Sequence, residues 1–278
     1  MAIVGSRRRS GTTQQNANLP IVSANYKWKK WSYFVPLVVA LAVMSDMAFV
    51  DRLHFFSPPP PINQEQEPTI QELVQLSKNE LETMPFFDNF WDQIQNNENI
   101  SLRLENLVSS SNDSKIDMVI YCIGSIKHRE KSRLQLSLAL LLKEKVDWIS
   151  DNIKIFDPNL TYVENQALRD MGFQVLENDE KGKRKVNKPT VFYMPHCPAT
   201  MYVNVVKENQ KGGTLKNVVV LGNSFTWIKN IFLDDIIDSL GQNFAHEFQV
   251  VRDVVDLLPL IRITFKHLCW HFCSVCNN

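Results

Sequence analysis

Asp117-Met118-Val119-Ile120-Tyr121-Cys122-Ile123-Gly124-Ser125 decides the fold. From Met118 to Ile123 the run is apolar without interruption, so it has no solvent face. A half-exposed strand would alternate, and a helix would need a longer run. A short apolar run closed by Gly-Ser reads as a strand buried on both faces, the habit of parallel sheets covered by helices. A parallel neighbour requires a crossover, and the next residues supply one. Ile126 to Lys131 form a polar loop. Ser132 and Gln135 have the spacing of a capping box, and Leu134, Leu138, Leu141, Leu142 and Val146 continue as an apolar helix.

Downstream the alternation repeats. Ile153 to Phe156 reads as a strand ending in Asp157-Pro158, and Thr161 with Glu164 opens a helix that stops at Gly172. Phe173 to Leu176 is a further strand, followed by a basic loop from Lys181 to Lys188. Thr190 to Met194 leads into Pro195-His196-Cys197-Pro198. After a helix over 199–207, Val218 to Leu221 ends in Gly222-Asn223-Ser224. The expected fold is α/β: a Rossmann-like open, mostly parallel sheet with helices on both faces.

This order has a functional consequence. Right-handed crossovers bring the carboxyl ends of all the strands to one edge, and ligands of open parallel sheets bind there. The polar punctuation falls at those ends. The candidate ligand-binding residues are therefore Gly124, Ser125, Ser132, Arg133, Asp157, His196, Cys197, Gly222, Asn223 and Ser224. Asp157 could accept hydrogen bonds from a ribose diol, and free amides at the helix start near Ser132 could receive an anion. Gly124 stands without the full Gly-x-Gly-x-x-Gly run, so the pattern names no cofactor. The competing reading is that these residues only turn the chain.

Upstream, residues 1–30 are polar and basic, with Arg7, Arg8, Arg9, Lys27, Lys29 and Lys30 and no acid before Asp46. The run from Trp31 to Val50 approaches the roughly 20 residues of a bilayer-spanning helix. Trp28, Trp31 and the lysines suit a membrane interface. Pro36 and Asp46 interrupt the run, and a targeting peptide or a buried core helix are the competing readings. Residues 51–68 form a linker, in which Pro58 to Pro61 impose an extended polyproline segment. Residues 69–114 read as a helical extension. It opens with a Thr69–Glu72 capping box, is broken at Pro85, carries Phe86, Phe87, Phe90 and Trp91, and closes in a polar linker from 108. Its apolar stripe is expected to pack on the main domain, with a partner-binding helix as the alternative.

Lysine plus arginine and aspartate plus glutamate balance at 30 each. That balance gives no general signal for nucleic acid, whose partners are usually basic. The five cysteines are odd in number, and two fall in strand or strand-end segments, which does not suggest a disulfide framework. His267, Cys269, His271, Cys273 and Cys276 crowd the tail, yet lack the paired spacing of a zinc site, so a final strand or frayed end is the expectation there. His196 and Cys197 are chain neighbours, whose side chains would point apart on an extended segment. No catalytic triad or metal centre is legible.

Several of these segments, taken in order, resemble the Sensitivity to Red Light Reduced family. They are Asp117 to Ile126, Ser132 to Ala139, Ile155-Phe156-Asp157-Pro158, Lys188 to Cys197, and Leu221-Gly222-Asn223-Ser224-Phe225. The resemblance covers about residues 115–227, and the apolar run near residue 40 is no part of it. It implies a eukaryotic regulatory protein of circadian-clock input and phytochrome B light signalling, in cytoplasm and nucleus, with no established reaction. The expected partner is a regulatory protein or a small effector of unknown identity. A genuine anchor at 31–50 would instead imply membrane association. The expected division is a domain over 115–268 with a cysteine-containing tail over 269–278. The alternative function is a nucleotide-fold enzyme, such as an adenosyl-cofactor-dependent transferase.

Overall fold

A computed structural model describes residues 67–231, 244, 246–250 and 259–273. The proposed apolar helix at 31–50 and the proline linker up to residue 66 lie outside the described residues. Among the described residues, no helix is long and apolar enough to cross a membrane.

The decisive stretch forms strand β1 (Asp117–Tyr121). Parallel to it run β2 (Lys154–Phe156), β3 (Gln174–Val175), β4 (Thr190–Met194) and β5 (Val218–Asn223). The described sheet also holds β6 (His246–Gln249) and β7 (Leu268–Phe272), in the order β3-β2-β1-β4-β5-β7-β6. The five parallel strands match the sequence expectation. The antiparallel pairing of β7 with β5 and β6 was not legible. Strand β7 also settles the nature of residues 268–272: Cys269, Trp270 and His271 are sheet interior, almost without exposure. The expected boundary between Leu268 and Cys269 falls inside this strand.

Alternation along each strand sends residues to opposite faces, and two separate cores result. Met118, Ile120, Val191, Tyr193, Val219 and Leu221 belong to one core. Val119, Tyr121, Phe192, Met194, Val218 and Val220 belong to the other. Helix α6 (Ala199–Lys211) and the short α7 (Phe225–Ile231) serve the second face. The first face is covered more deeply. Helix α4 (Glu130–Lys145) and α5 (Tyr162–Asp170) lie on it, together with α8 (Pro259–Phe265). The extension adds α1 (Ile70–Glu82), α2 (Pro85–Asn96) and α3 (Glu98–Ser110).

Helix α1 packs along α4, so α4 is enclosed between the sheet and a second helical layer. That explains its composition. Leu134, Leu136, Leu138, Leu141 and Leu142 are all buried, and no single apolar stripe is needed. Lys78 with Glu144 and Lys145 with Glu82, each at 2.6 Å, tie the outer rims of the two helices. Phe90 of α2 stacks on Trp270 of β7 at 6.0 Å between ring centroids, and Phe86 stacks on Phe265 at 4.4 Å. The extension is thus part of the core, as the apolar stripe implied.

Two of the three expected capping boxes are present, at Thr69–Glu72 and Thr161–Glu164. The third is not. Helix α4 begins at Glu130, after Arg129, and no side chain caps it. Ser132 and Gln135 instead lie on its buried face, at 4% and 2% exposure.

Candidate functional site

The carboxyl ends of β1, β2 and β4 open into a cleft of about 670 Å³. In this strand order the chain moves outward from β1 to β3 and then returns to β4 on the other side. The crevice between β1 and β4 is therefore the switch point at which open α/β sheets take ligands.

The loop joining β1 to α4 forms one wall, and three side chains fasten it. Asp157, just past β2, accepts the Gly124 N–H on Oδ2 at 2.8 Å and the Asn159 N–H on Oδ1 at 2.7 Å. Glu164 Oε1 accepts the Ser125 hydroxyl at 2.6 Å and the Lys127 N–H at 2.9 Å. Its other oxygen accepts the Thr161 N–H and hydroxyl. Burial alone would raise the Glu164 pKa, but these bonds prevail and bring it down to about 2. Arg133 donates to the carbonyls of Ile126 and Lys127, both at 3.2 Å. Gly124 adopts φ +77°, and a Cβ there would stand 2.9 Å from the Ser132 hydroxyl. Glycine is required both for the turn and for the close pass over α4.

The far wall comes from the β4–α6 connection. His196 has φ +63°, so the chain is not extended there as the sequence reading assumed. Its side chain turns to the Thr264 carbonyl, with Nε2 at 3.0 Å, and its N–H donates to Asn223 Oδ1 at 3.3 Å. Partial desolvation, then the charge of Lys131, lower the His196 pKa and keep the ring neutral near pH 7.

Cys197 is not free: it forms a disulfide with Cys122. The expectation of a chain without disulfides is therefore corrected. Parallel strands β1 and β4 are neighbours and end together, so residues 75 apart in sequence meet in space. Cys122, at φ +62°, lines the cleft, while Cys197 is buried against the second core. Bonded in this way, Cys197 is no thiolate nucleophile.

Of the ten proposed site residues, Gly124, Ser132, Asp157 and His196 line the cleft. Ser125 and Arg133 act behind it, holding the loop. Gly222 and Asn223 are set back among buried groups. A Cβ at Gly222 would stand 2.8 Å from the Tyr202 ring, and the Asn223 N–H is already committed to the Tyr202 hydroxyl at 3.0 Å. Ser224 caps α7 through its hydroxyl, which accepts the Trp227 N–H at 3.0 Å. Sequence reasoning missed Arg129, Lys131, Gln135, Phe156, Met201 and Asn204, all of which line the cleft. The helix period from Ser132 would have found Gln135 had the helix start been read correctly. The α6 residues carry no comparable signal.

Among the described residues, no group of three or more His, Cys, Asp or Glu side chains is arranged to hold a metal ion. A second cleft, of about 430 Å³, lies at the opposite edge, where β4 and β5 begin. Lys188, on its rim, is held by Asp117 at 2.9 Å and Asp113 at 3.2 Å.

Comparison with known proteins supplies the family. Solved structures with a loosely similar course include a SAM-dependent methyltransferase from Leishmania major. It is 10% identical, with a TM-score of 0.33 over 73% of this chain and 83% of that one. The plantazolicin methyltransferase BamL is 8% identical, with a TM-score of 0.31 over 73% and 97%. The sequence relatives are nearer. The chain is 35% identical to the Arabidopsis thaliana protein SENSITIVITY TO RED LIGHT REDUCED 1 over 77% of its own length and 78% of that protein. It is 34% identical to a Mus musculus SRR1-like protein over 46% of this chain and 52% of the relative. The SRR1 domain family model matches residues 92–272, from within α2 to the end of β7. That match, together with the identity to the Arabidopsis protein over most of both chains, shows that the chain belongs to the SRR1 domain family.

Proposed function

We propose that this chain is a regulatory protein of light signalling and circadian-clock input. It would work in cytoplasm and nucleus through a small effector or protein partner bound at the carboxyl-edge cleft. Family membership supports the regulatory part, since the Arabidopsis relative is named for reduced sensitivity to red light. One observation carries the effector part. The β1–α4 loop is fixed by Asp157, Glu164 and Arg133 around an open cleft. A loop that only reversed the chain would not need three separate anchors, whereas a ligand wall gains from such preorganisation.

The test is complementation of an Arabidopsis line lacking its relative, scored by red-light response and rhythm. Thr200, exposed on the cleft wall, offers a way to fill the space without touching the core. The native chain is expected to restore the response. Thr200→Trp is expected to fold with unchanged melting and yet fail to restore it. Full rescue by a well-folded Thr200→Trp would remove the cleft from the function.

A second reading, a nucleotide-fold enzyme using an adenosyl cofactor, rests on Asp157. Each of its oxygens has one backbone donor and one lone pair to spare, as acceptance of a ribose diol requires. Under that reading S-adenosylmethionine raises the melting temperature, and Asp157→Asn weakens the effect about tenfold, the loss expected from roughly 1.4 kcal/mol. No stabilisation at millimolar cofactor counts against it.

A further inference from the structure

The mouth of α4 combines three features that no structural role accounts for. The helix is 16 residues long, yet Arg129 at its cap position makes no side-chain hydrogen bond to it. Arg129, Lys131 and Ser132 line the cleft, so the first-turn amides lie beside it without the usual side-chain acceptor from the cap residue, and they present partial positive charge. Next, Lys131 is half-buried on the cleft wall. Burial, then the nearby Arg129 charge, disfavour its ammonium form, and no carboxylate among the described residues is paired with it. Finally, Gln135 lies one turn deeper on the same face. It lines the cleft at 2% exposure, and its Nε2 has no hydrogen-bond partner among the described residues. Native proteins rarely leave a buried donor without an acceptor, and a ligand seated in the cleft would supply one.

Neither acid lining the cleft, Asp157 or Asp179, is among the groups that act on Lys131. Asp157 is engaged by Gly124 and Asn159, and Asp179 accepts the Lys181 N–H at 2.8 Å. His196 adds no positive charge near neutral pH. What remains is a set of donors around one end of the cleft: helix amides, an ammonium group and a carboxamide. An oxyanion satisfies all three together.

We propose that the effector is a small molecule bearing a phosphate group, and that this group seats on the first turn of α4 between Lys131 and Gln135. The assignment rests on the cleft reading above and names the chemistry of its ligand. The anion completes the helix cap, neutralises Lys131 and accepts from the Gln135 amide. The rest of the molecule extends along the cleft toward Asp157 and Phe156.

The experiment uses the full chain with inorganic pyrophosphate, AMP and adenosine as probes, read by thermal shift and isothermal titration. Pyrophosphate and AMP are expected to stabilise the protein, with adenosine at least tenfold weaker. Lys131→Gln is expected to weaken AMP binding tenfold or more, whereas Lys207→Gln, exposed on α6 away from the cleft, leaves it unchanged. Gln135→Leu provides an independent readout. It removes an unpartnered buried amide, so it should raise the melting temperature of the unliganded chain while lowering AMP affinity.

Equal binding of AMP and adenosine, untouched by Lys131→Gln, would overturn the anion seat and leave the cleft in place. So would a Gln135→Leu chain that melts lower than the native one, since the amide would then have a partner of its own. If neither pyrophosphate nor AMP binds at millimolar concentration, the anionic class is wrong. Failure of the broader cleft reading would appear separately, as rescue by Thr200→Trp.

Discussion

Glu164 is fully buried and accepts four hydrogen bonds at the start of α5. Half of them cap its own helix and half hold the β1–α4 loop, so one carboxylate serves both local structure and the cleft. Because its folded pKa of about 2 is below the unfolded value, it stabilises the fold above about pH 4.5. That contribution is lost as pH falls from there through 2. Glu164→Gln is expected to cost roughly 2 kcal/mol at pH 7, the range for hydrogen bonds to a charged group. The gap between variant and native chain should then close as pH is lowered from 4.5 to 2, as followed by urea denaturation across that range. A constant gap would mean that the carboxylate's charge is irrelevant. The capping half of this role was legible, because Thr161 and Glu164 have the right spacing. The loop-holding half was not. Ser125 and Lys127 lie 39 and 37 residues away, and only the fold brings them near.

At the scale of elements, nearly continuous apolar runs betrayed β1, β4 and β5, since a strand covered on both faces tolerates few polar residues. The short β2 and β3 each carry a polar residue, Lys154 and Gln174, and were legible from their place in the strand–helix alternation. The same logic left β7 open between a final strand and a frayed end. Its Cys-Trp-His-Phe run carries a histidine, whose Nε2 is taken up by the Asn223 carbonyl at 3.1 Å, and such a partner cannot be read from sequence. The start of α4 was misplaced for a related reason. Its first turn, Glu130-Lys131, is as polar as the loop before it, and the capping spacing of Ser132 and Gln135 occurs by coincidence on a buried face. The disulfide joins elements rather than neighbours, locking the ends of β1 and β4 together beside the cleft. Closing a loop of this length is expected to contribute about 2–4 kcal/mol in the oxidised chain. Cys122→Ser and Cys197→Ser should each lower stability by that amount, and dithiothreitol should do the same to the native chain but not to the variants. Equal unfolding curves for native and variant chains under oxidising conditions would mean that no bond forms.

For the whole molecule, the question is where the folding unit begins. The family pattern starts at residue 92, inside α2, and the sequence suggested a domain from 115. Yet Ile70, Val74, Leu81, Phe86, Phe87, Phe90, Ile94, Ile100 and Leu104, all on α1 to α3, are buried in one core with the sheet. At about 1.5–3 kcal/mol per buried side chain, even part of this set is worth more than 10 kcal/mol. Net stabilities of domains are only about 5–15 kcal/mol. A chain beginning at Lys115 would therefore expose the outer face of α4 and the Trp270 ring, and it should not hold a native state. A chain beginning at Gln64 retains all three helices and should unfold cooperatively. Intrinsic tryptophan fluorescence reports the difference, because Trp270 is fully buried against Phe90. The longer chain should give a single sharp transition in urea, and the shorter one a red-shifted spectrum with binding of hydrophobic dye. Were the chain from Lys115 to unfold as sharply as the longer one, the three helices would be an accessory layer. The second face with α6 would then have to account for nearly all of the stability.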